Sequence, residues 1–149
     1  MFRSLLVSWV VVASLVVSGG CSEPSAEETF EKRLLAEVAS QNSGLPARPE
    51  GDDATLLRVE ADTTAKMLTL YMSTDALTKD HPQFATIEEL LEAAHLTECR
   101  VPKLKWIVDG GYGIAYHYVD DAGEFLFDFR YTPEQILKAP APASEEAGG

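Results

Sequence analysis

The chain has 149 residues, 12 basic and 24 acidic, for a formal net charge of −12, with 46% hydrophobic and 9% aromatic content and two cysteines. That length holds one domain of ordinary size, and its apolar fraction excludes a chain disordered throughout. The acidic excess excludes nucleic acid, whose phosphates would be repelled, and docking on anionic lipid heads by protein charge.

The N-terminus reads Met1-Phe2-Arg3, then a run without charge from Leu5 to Val17, then Ser18-Gly19-Gly20-Cys21. A basic start, a short apolar run and small residues after it are the parts of an export signal. A spanning helix needs roughly 20 apolar residues to cross a hydrocarbon core about 30 Å thick. This run is shorter, and Glu23 follows soon after it. Residues 1–20 are therefore expected to be a signal peptide rather than a permanent anchor. The small-small-Cys ending resembles the lipobox of bacterial lipoprotein precursors, over the first 22 residues. The resemblance implies cleavage between Gly20 and Cys21, with a diacylglyceryl group and palmitate-type acyl chains on Cys21 as the new N-terminus. Ser18 departs from that pattern, since it stands where the usual leucine would be. Ser22 after the cysteine, rather than Asp, implies sorting to the outer membrane. Several acyl chains, at about 0.8 kcal/mol per buried methylene, would hold the protein on a bilayer without any protein contact. The other reading is ordinary cleavage after Gly20, leaving Cys21 as a free thiol. If Cys21 carries lipid, Cys99 has no partner within the chain: it is either a buried small apolar residue or paired to another protein.

Residues 21–53 are expected to hold the lipidated N-terminus, a short helix and a linker. Ser25-Ala26-Glu27-Glu28 has the Ser-x-x-Glu form of a capping box. Phe30, Leu34, Leu35 and Val38 follow at helical spacing. Gly44, Pro46, Pro49 and Gly51 mark Gln41–Asp53 as the linker. A lone helix of this length is marginal in water, so it is expected to pack back onto the main domain. A stalk or a partner-binding helix is the alternative.

Residues 54–138 form the expected globular domain. Ala54–Ala61 and Lys66–Ser73 read as strands joined at Asp62-Thr63-Thr64. Thr86-Ile87-Glu88-Glu89 has the form of a second capping box, before a helix with Ile87, Leu90, Leu91 and Ala94 on one face. Leu104–Asp109, Tyr112–Asp120 and Glu124–Tyr131 read as three more strands, and residues 139–149 as a disordered Ala-Pro and acidic tail. A turn over Asp120-Asp121-Ala122-Gly123 would pair Tyr118 with Phe125 and Tyr116 with Phe127. That register puts Ile114, Tyr116, Tyr118, Phe125, Phe127 and Phe129 on one face, and His117, Val119, Glu124, Asp128 and Arg130 on the other. A three-residue loop at Gly110-Gly111-Tyr112 would add Leu104, Trp106 and Val108 to the apolar face. The expected architecture is α+β: an antiparallel sheet of about five strands in ββαβββ order, covered by one helix and preceded by a short N-terminal helix.

The run Cys99, Pro102, Gly113, Tyr116-His117-Tyr118, Asp120 and Gly123, with Thr55-Leu56-Leu57 and Leu68-Thr69-Leu70-Tyr71 upstream, resembles small exported bacterial proteins of unassigned function. The resemblance covers roughly residues 54–131. In many of those proteins the cysteine has a partner beyond the last strand. Thr132, Pro133 and Glu134 stand there in this chain, so that disulfide is absent. The resemblance implies a fold and no activity.

Chemistry is sparse. The three histidines, His81, His95 and His117, lack the His-x-x-x-His or Cys-x-x-Cys spacing of a zinc site, and no metal or cofactor is expected. His81 precedes Pro82 in a polar loop, and His95 lies at the edge of the helical apolar stripe. The acids at Asp120 and Asp121 lack the spacing of a calcium loop and suit a turn. His117 is the candidate with company. In the register above, Glu124 and Asp128 lie diagonal to it, within reach of its imidazole, with Arg130 on the same face. A histidine oriented by an acid is half of a general-base arrangement, but no nucleophile is tied to it. The leading expectation is therefore a non-catalytic lipoprotein, held on the membrane by its N-terminal lipid and displaying a binding domain for a protein or envelope component. An inhibitor of an envelope-directed or foreign enzyme, and a small hydrolase using His117, are the alternatives.

Overall fold

The computed structural model describes residues 23–140; the expected signal peptide over residues 1–20, with Gly20, then Cys21 and most of the expected tail lie outside the described residues. In chain order the elements are α1 (Ala26–Asn42), β1 (Ala54–Asp62), β2 (Met67–Thr74), α2 (Phe84–Glu98), α3 (Pro102–Asp109), β3 (Gly113–Asp120), β4 (Phe125–Tyr131) and α4 (Pro133–Lys138). The strands form one sheet in the order β1-β2-β3-β4. The outer pairs are antiparallel and the central pair, β2 with β3, is parallel. The fold is α+β, with four strands in a mixed sheet.

Local chemistry explains most of the elements. The Ser25 side chain accepts a hydrogen bond from the Glu28 N–H and starts α1. The Asp62 carboxylate accepts from the Thr64 and Ala65 N–H groups and closes the β1–β2 turn. Asp120 repeats this with the Ala122 and Glu124 N–H groups, and Gly123 supplies the positive φ of 83° that the β3–β4 turn requires. Pro133 at the first helical position and a reciprocal capping box between Thr132 and Gln135 start α4, an element the sequence reading did not resolve.

Several expectations need correction. Leu104–Asp109 is helical, not extended. Pro102 stands at the first turn of α3 and Leu104, Ile107 and Val108 lie at helical spacing, so a run this short fits either period. That removes the fifth strand, and with it the hairpin at Gly110-Gly111-Tyr112. The sheet is not all antiparallel, because residues 75–112, which carry α2 and α3, form a crossover long enough to return the chain in the same direction. The β3–β4 register is displaced by two residues, pairing Tyr118 with Phe127 and Tyr116 with Phe129. A bulge beside Val119 then turns Phe125 off the apolar face, to 46% exposure, while Leu126 is buried. Finally, α2 starts at Phe84 with no side-chain cap, so Thr86 lies inside the helix; its stripe is rotated so that Leu90 is 66% exposed and His95 faces inward.

One face of the sheet carries the core. Leu68, Ile114, Tyr116, Tyr118, Phe127, Phe129 and Tyr131 meet Leu34 of α1, Cys99, Ile107 and Val108 around α3, and Ile136 of α4. Among the described residues four helices, rather than one, supply the cover. Ala139, expected in the tail, is buried at the end of α4, and its carbonyl accepts from Arg100. α1 lies against the domain: Phe30 packs on Trp106 and Tyr112, and against Gly110, where a Cβ would overlap its ring.

The outer edge of β1 is capped at two points. The Asn42 side chain donates to the Val59 carbonyl and accepts from the Val59 N–H, both at 2.8 Å, as a neighbouring strand would. Ala47 does the same for Leu56 through backbone groups. Asn42→Ala should therefore cost about 1–3 kcal/mol, since both groups of Val59 lose their partner in a partly buried place. Urea denaturation would read this as a lower midpoint with an unchanged slope.

Candidate functional site

Strand alternation sends Arg58 and Glu60 of β1, Tyr71 of β2, His117 of β3 and Asp128 and Arg130 of β4 to the face opposite the helices. There the pairing places His117 directly across from Asp128, with Nδ1 3.4 Å from the carboxylate, instead of diagonal to it. The Arg130 Nε donates to the other Asp128 oxygen at 2.7 Å. Glu124 does not join them: it sits in the turn, where its N–H donates to Asp120. The displaced register exchanges Glu124 for Phe125, whose ring centroid lies 5.4 Å from that of His117.

The result is a continuous strip across the sheet. The Tyr71 and His117 rings are 5.3 Å apart, the Arg58 guanidinium lies 4.0 Å over Tyr71, and the Tyr71 hydroxyl donates to Glu60. The Lys79 ammonium lies 5.7 Å from the Phe125 ring centroid. Burial beside Glu60 raises the Tyr71 hydroxyl above its ordinary range, so it stays a donor. Aromatic rings with arginines at the margins are the composition that carries energy at protein interfaces. No Ser, Thr or Cys hydrogen-bonds to His117 among the described residues, and two surface grooves lie elsewhere. One groove, of about 350 Å³, lies at the ends of β2 and β3 beside Arg48 and Asp75. The other, of about 530 Å³, runs between α2 and α4 along β4.

The sequence reading missed a second cluster, on the covered face. His95 is 8% exposed and stacks on Tyr116 with centroids 3.8 Å apart. Its Nδ1 is 3.0 Å from Glu98 and its Nε2 is 2.7 Å from the Tyr118 hydroxyl. A carboxylate only accepts, so Nδ1–H donates to Glu98, while Nε2 and the Tyr118 hydroxyl share the second hydrogen bond. Tyr116 also donates to Glu98. Burial pulls the Glu98 carboxyl upward, but the hydrogen bonds from His95 and Tyr116 outweigh it and hold the group below its ordinary value. The available signal was the three-residue step from His95 to Glu98 together with the parity of Tyr116 and Tyr118. Among the described residues no buried side-chain polar atom lacks a partner, so this cluster is satisfied internally and fastens α2 to the sheet.

Cys99 is fully buried, with its sulfur 4.0 Å from the Tyr116 hydroxyl. Burial pushes its thiol up to about 12. It acts as a small core residue, and the disulfide to a partner has no accessible sulfur. Added thiol reagent should leave Cys99 unmodified in the folded protein at pH 8, with quantitative reaction only in denaturant; rapid native labelling would contradict this burial. Among the described residues no group of acids, histidines and cysteines is disposed to hold a metal ion.

No protein-family model matches the chain, and no curated protein matches it either. Solved structures do. The pilotin EpsS of the Vibrio vulnificus type 2 secretion system aligns with a TM-score of 0.57 at 16% identity, covering 76% of this chain and 96% of that one. A protein described as secreted, from Pseudomonas aeruginosa, aligns with a TM-score of 0.57 at 12% identity, over 76% of this chain and 98% of that one. The type II pilotin AspS of Vibrio cholerae aligns with a TM-score of 0.51 at 19% identity, over 74% of this chain and 96% of its own. At these identities the likeness is one of fold, and it extends over nearly the whole of each neighbour.

Proposed function

We propose that this chain is an envelope lipoprotein of pilotin type, anchored through Cys21, that binds a secretin subunit at the outer membrane without catalysing a reaction. The observation that carries this reading is a conjunction. A sequence with the parts of an export signal and a lipobox-like end precedes a domain whose fold is similar to that of two type II secretion pilotins. The uncovered face of the sheet suits the role. It offers Tyr71, His117 and Phe125 as apolar contact, with Arg58, Arg130, Glu60 and Asp128 for directional pairing. Among the described residues the one ion-pair partner of His117 is Asp128, and no Ser, Thr or Cys hydrogen-bonds to it, which favours a non-catalytic role.

A photo-crosslinking residue at Phe125, placed in the full-length protein in its native envelope, tests the proposal. The expected product is a covalent adduct with the secretin, weakened at least tenfold by Tyr71→Ala on the same face. Secretin that co-purifies but never crosslinks from Phe125 would move the contact to another surface. Secretin that does not co-purify at all would overturn the partner, and an unmodified Cys21 by mass spectrometry would overturn the anchor.

A further inference from the structure

We infer that one pole of the domain lies against the membrane: the start of α1, the β1–β2 turn at Asp62–Lys66 and the α3–β3 loop at Gly110–Gly113. This rests on the reading of Cys21 as the lipid carrier. Three contacts bring these segments together. Lys66 in the turn pairs with Glu27 in the first turn of α1. The Tyr112 hydroxyl donates to Glu31, 3.2 Å away. The Gly113 N–H donates to the Lys66 carbonyl at 2.9 Å. β2 and β3 are parallel and both begin here, at Met67 and Gly113. Both end at the opposite pole, at Thr74 and Asp120, about 25 Å away for eight-residue strands. The β3–β4 turn and the Arg48–Asp75 pair occupy that far pole.

The tether is too short to let the domain roam. From Cys21 to the N-cap Ser25 is four residues, which span at most about 14 Å when fully extended. A lipid at Cys21 thus holds the entrance of α1 within that distance of the headgroups, less than the length of the strands. The pole itself is mostly acidic, with Glu27, Glu28, Glu31, Asp62 and Asp109 against Lys32, Lys66 and Lys105. It is held by covalent reach and not by attraction to anionic lipid. The strands then stand away from the bilayer, and the Tyr71–His117–Phe125 strip opens sideways, where a neighbour in the same membrane can reach it.

The test uses the full, acylated protein in phosphatidylcholine vesicles containing a lipid with a headgroup nitroxide. Cys99 is buried and Cys21 acylated, so a fluorophore can be placed on Ala65→Cys in the near turn or on Ala122→Cys in the far one. The Ala65 label should be quenched several-fold more than the Ala122 label. Inserting about ten Gly and Ser residues between Glu23 and Pro24 should bring the two towards equality, because a flexible segment of that length reaches roughly 16–19 Å further. Equal or reversed quenching in protein shown by mass spectrometry to be acylated overturns the orientation and leaves the anchor standing. Protein that is not acylated at Cys21 overturns both.

Discussion

Leu34→Ala should destabilise the folded chain by about 2–5 kcal/mol, whereas Leu35→Ala, one residue along the same helix, should change stability by less than about 0.5 kcal/mol. Leu34 is 0% exposed within the core cluster, and Leu35 is 48% exposed. The loss at Leu34 combines the transfer of the removed methyl and methylene groups back to water with the cavity they leave behind. A stalk helix standing apart from the domain would show no such contrast. Urea denaturation of the two variants, with the midpoint as the readout, decides the matter. A small effect of Leu34→Ala would mean that α1 does not stay docked in solution. That outcome would also remove the short, rigid entrance on which the proposed membrane orientation depends.

The His95 cluster carries the second large effect. His95→Ala removes the stack on Tyr116 and the hydrogen bond to Tyr118, and leaves the Tyr118 hydroxyl buried without a partner; the expected cost is about 2–4 kcal/mol. Tyr118→Phe should cost about 1–2 kcal/mol, because only the hydroxyl is lost while His95 Nε2 goes unpaired. The cluster also makes an acid-side prediction. Glu98 is held below its ordinary value of 4.5 in the folded state, so its stabilising share is present above that value. It is lost as the pH falls through the lowered folded value and the carboxylate takes up a proton. The midpoint difference between the wild type and Glu98→Gln should thus be full at neutral pH and shrink as the pH falls below the ordinary carboxylate value and the group takes up its proton. Its size will be small, since the Glu98 side chain is half exposed and screened by solvent. A difference that grows on acidification would reverse the assigned sign.

Much of the architecture is written in local chemistry. The Ser25 cap, the Asp62 turn, the Asp120–Gly123 turn and the alternation of Tyr116 and Tyr118 with His117 and Val119 depend on residues close in the chain, and each is realised in the fold. Where two periods compete over a short run, locality fails. Leu104, Trp106 and Val108 alternate like a strand, yet Leu104, Ile107 and Val108 also fit a helix, and Pro102 together with packing against α1 and the core decides for the helix.

The candidate site divides along the same line. Parity alone brings His117, Asp128 and Arg130 to one face, because alternation survives a register shift of two. Which acid meets His117 is set by the turn and the bulge together. The turn closes between Asp120 and Glu124, one residue longer than expected, and the bulge beside Val119 adds the second residue of the shift, so Glu124 stays in the turn and Phe125 stands beside His117. His95 shows the limit from the other side. As a residue at the margin of a helical stripe it could face either way, and only the Tyr116 and Tyr118 hydroxyl groups and rings, reached across the crossover, turn it inward.

Sequence by itself determined the expected address, the α+β class and the two-sided character of the last hairpin, because export signals, caps, turns and strand parity act over a few residues. Tertiary structure alone decided the parallel central pair, the helical α3, the inward His95 and the open aromatic strip. Each of these depends on contacts between residues far apart in the chain, whose free energy of burial and hydrogen bonding outweighs weak local preference.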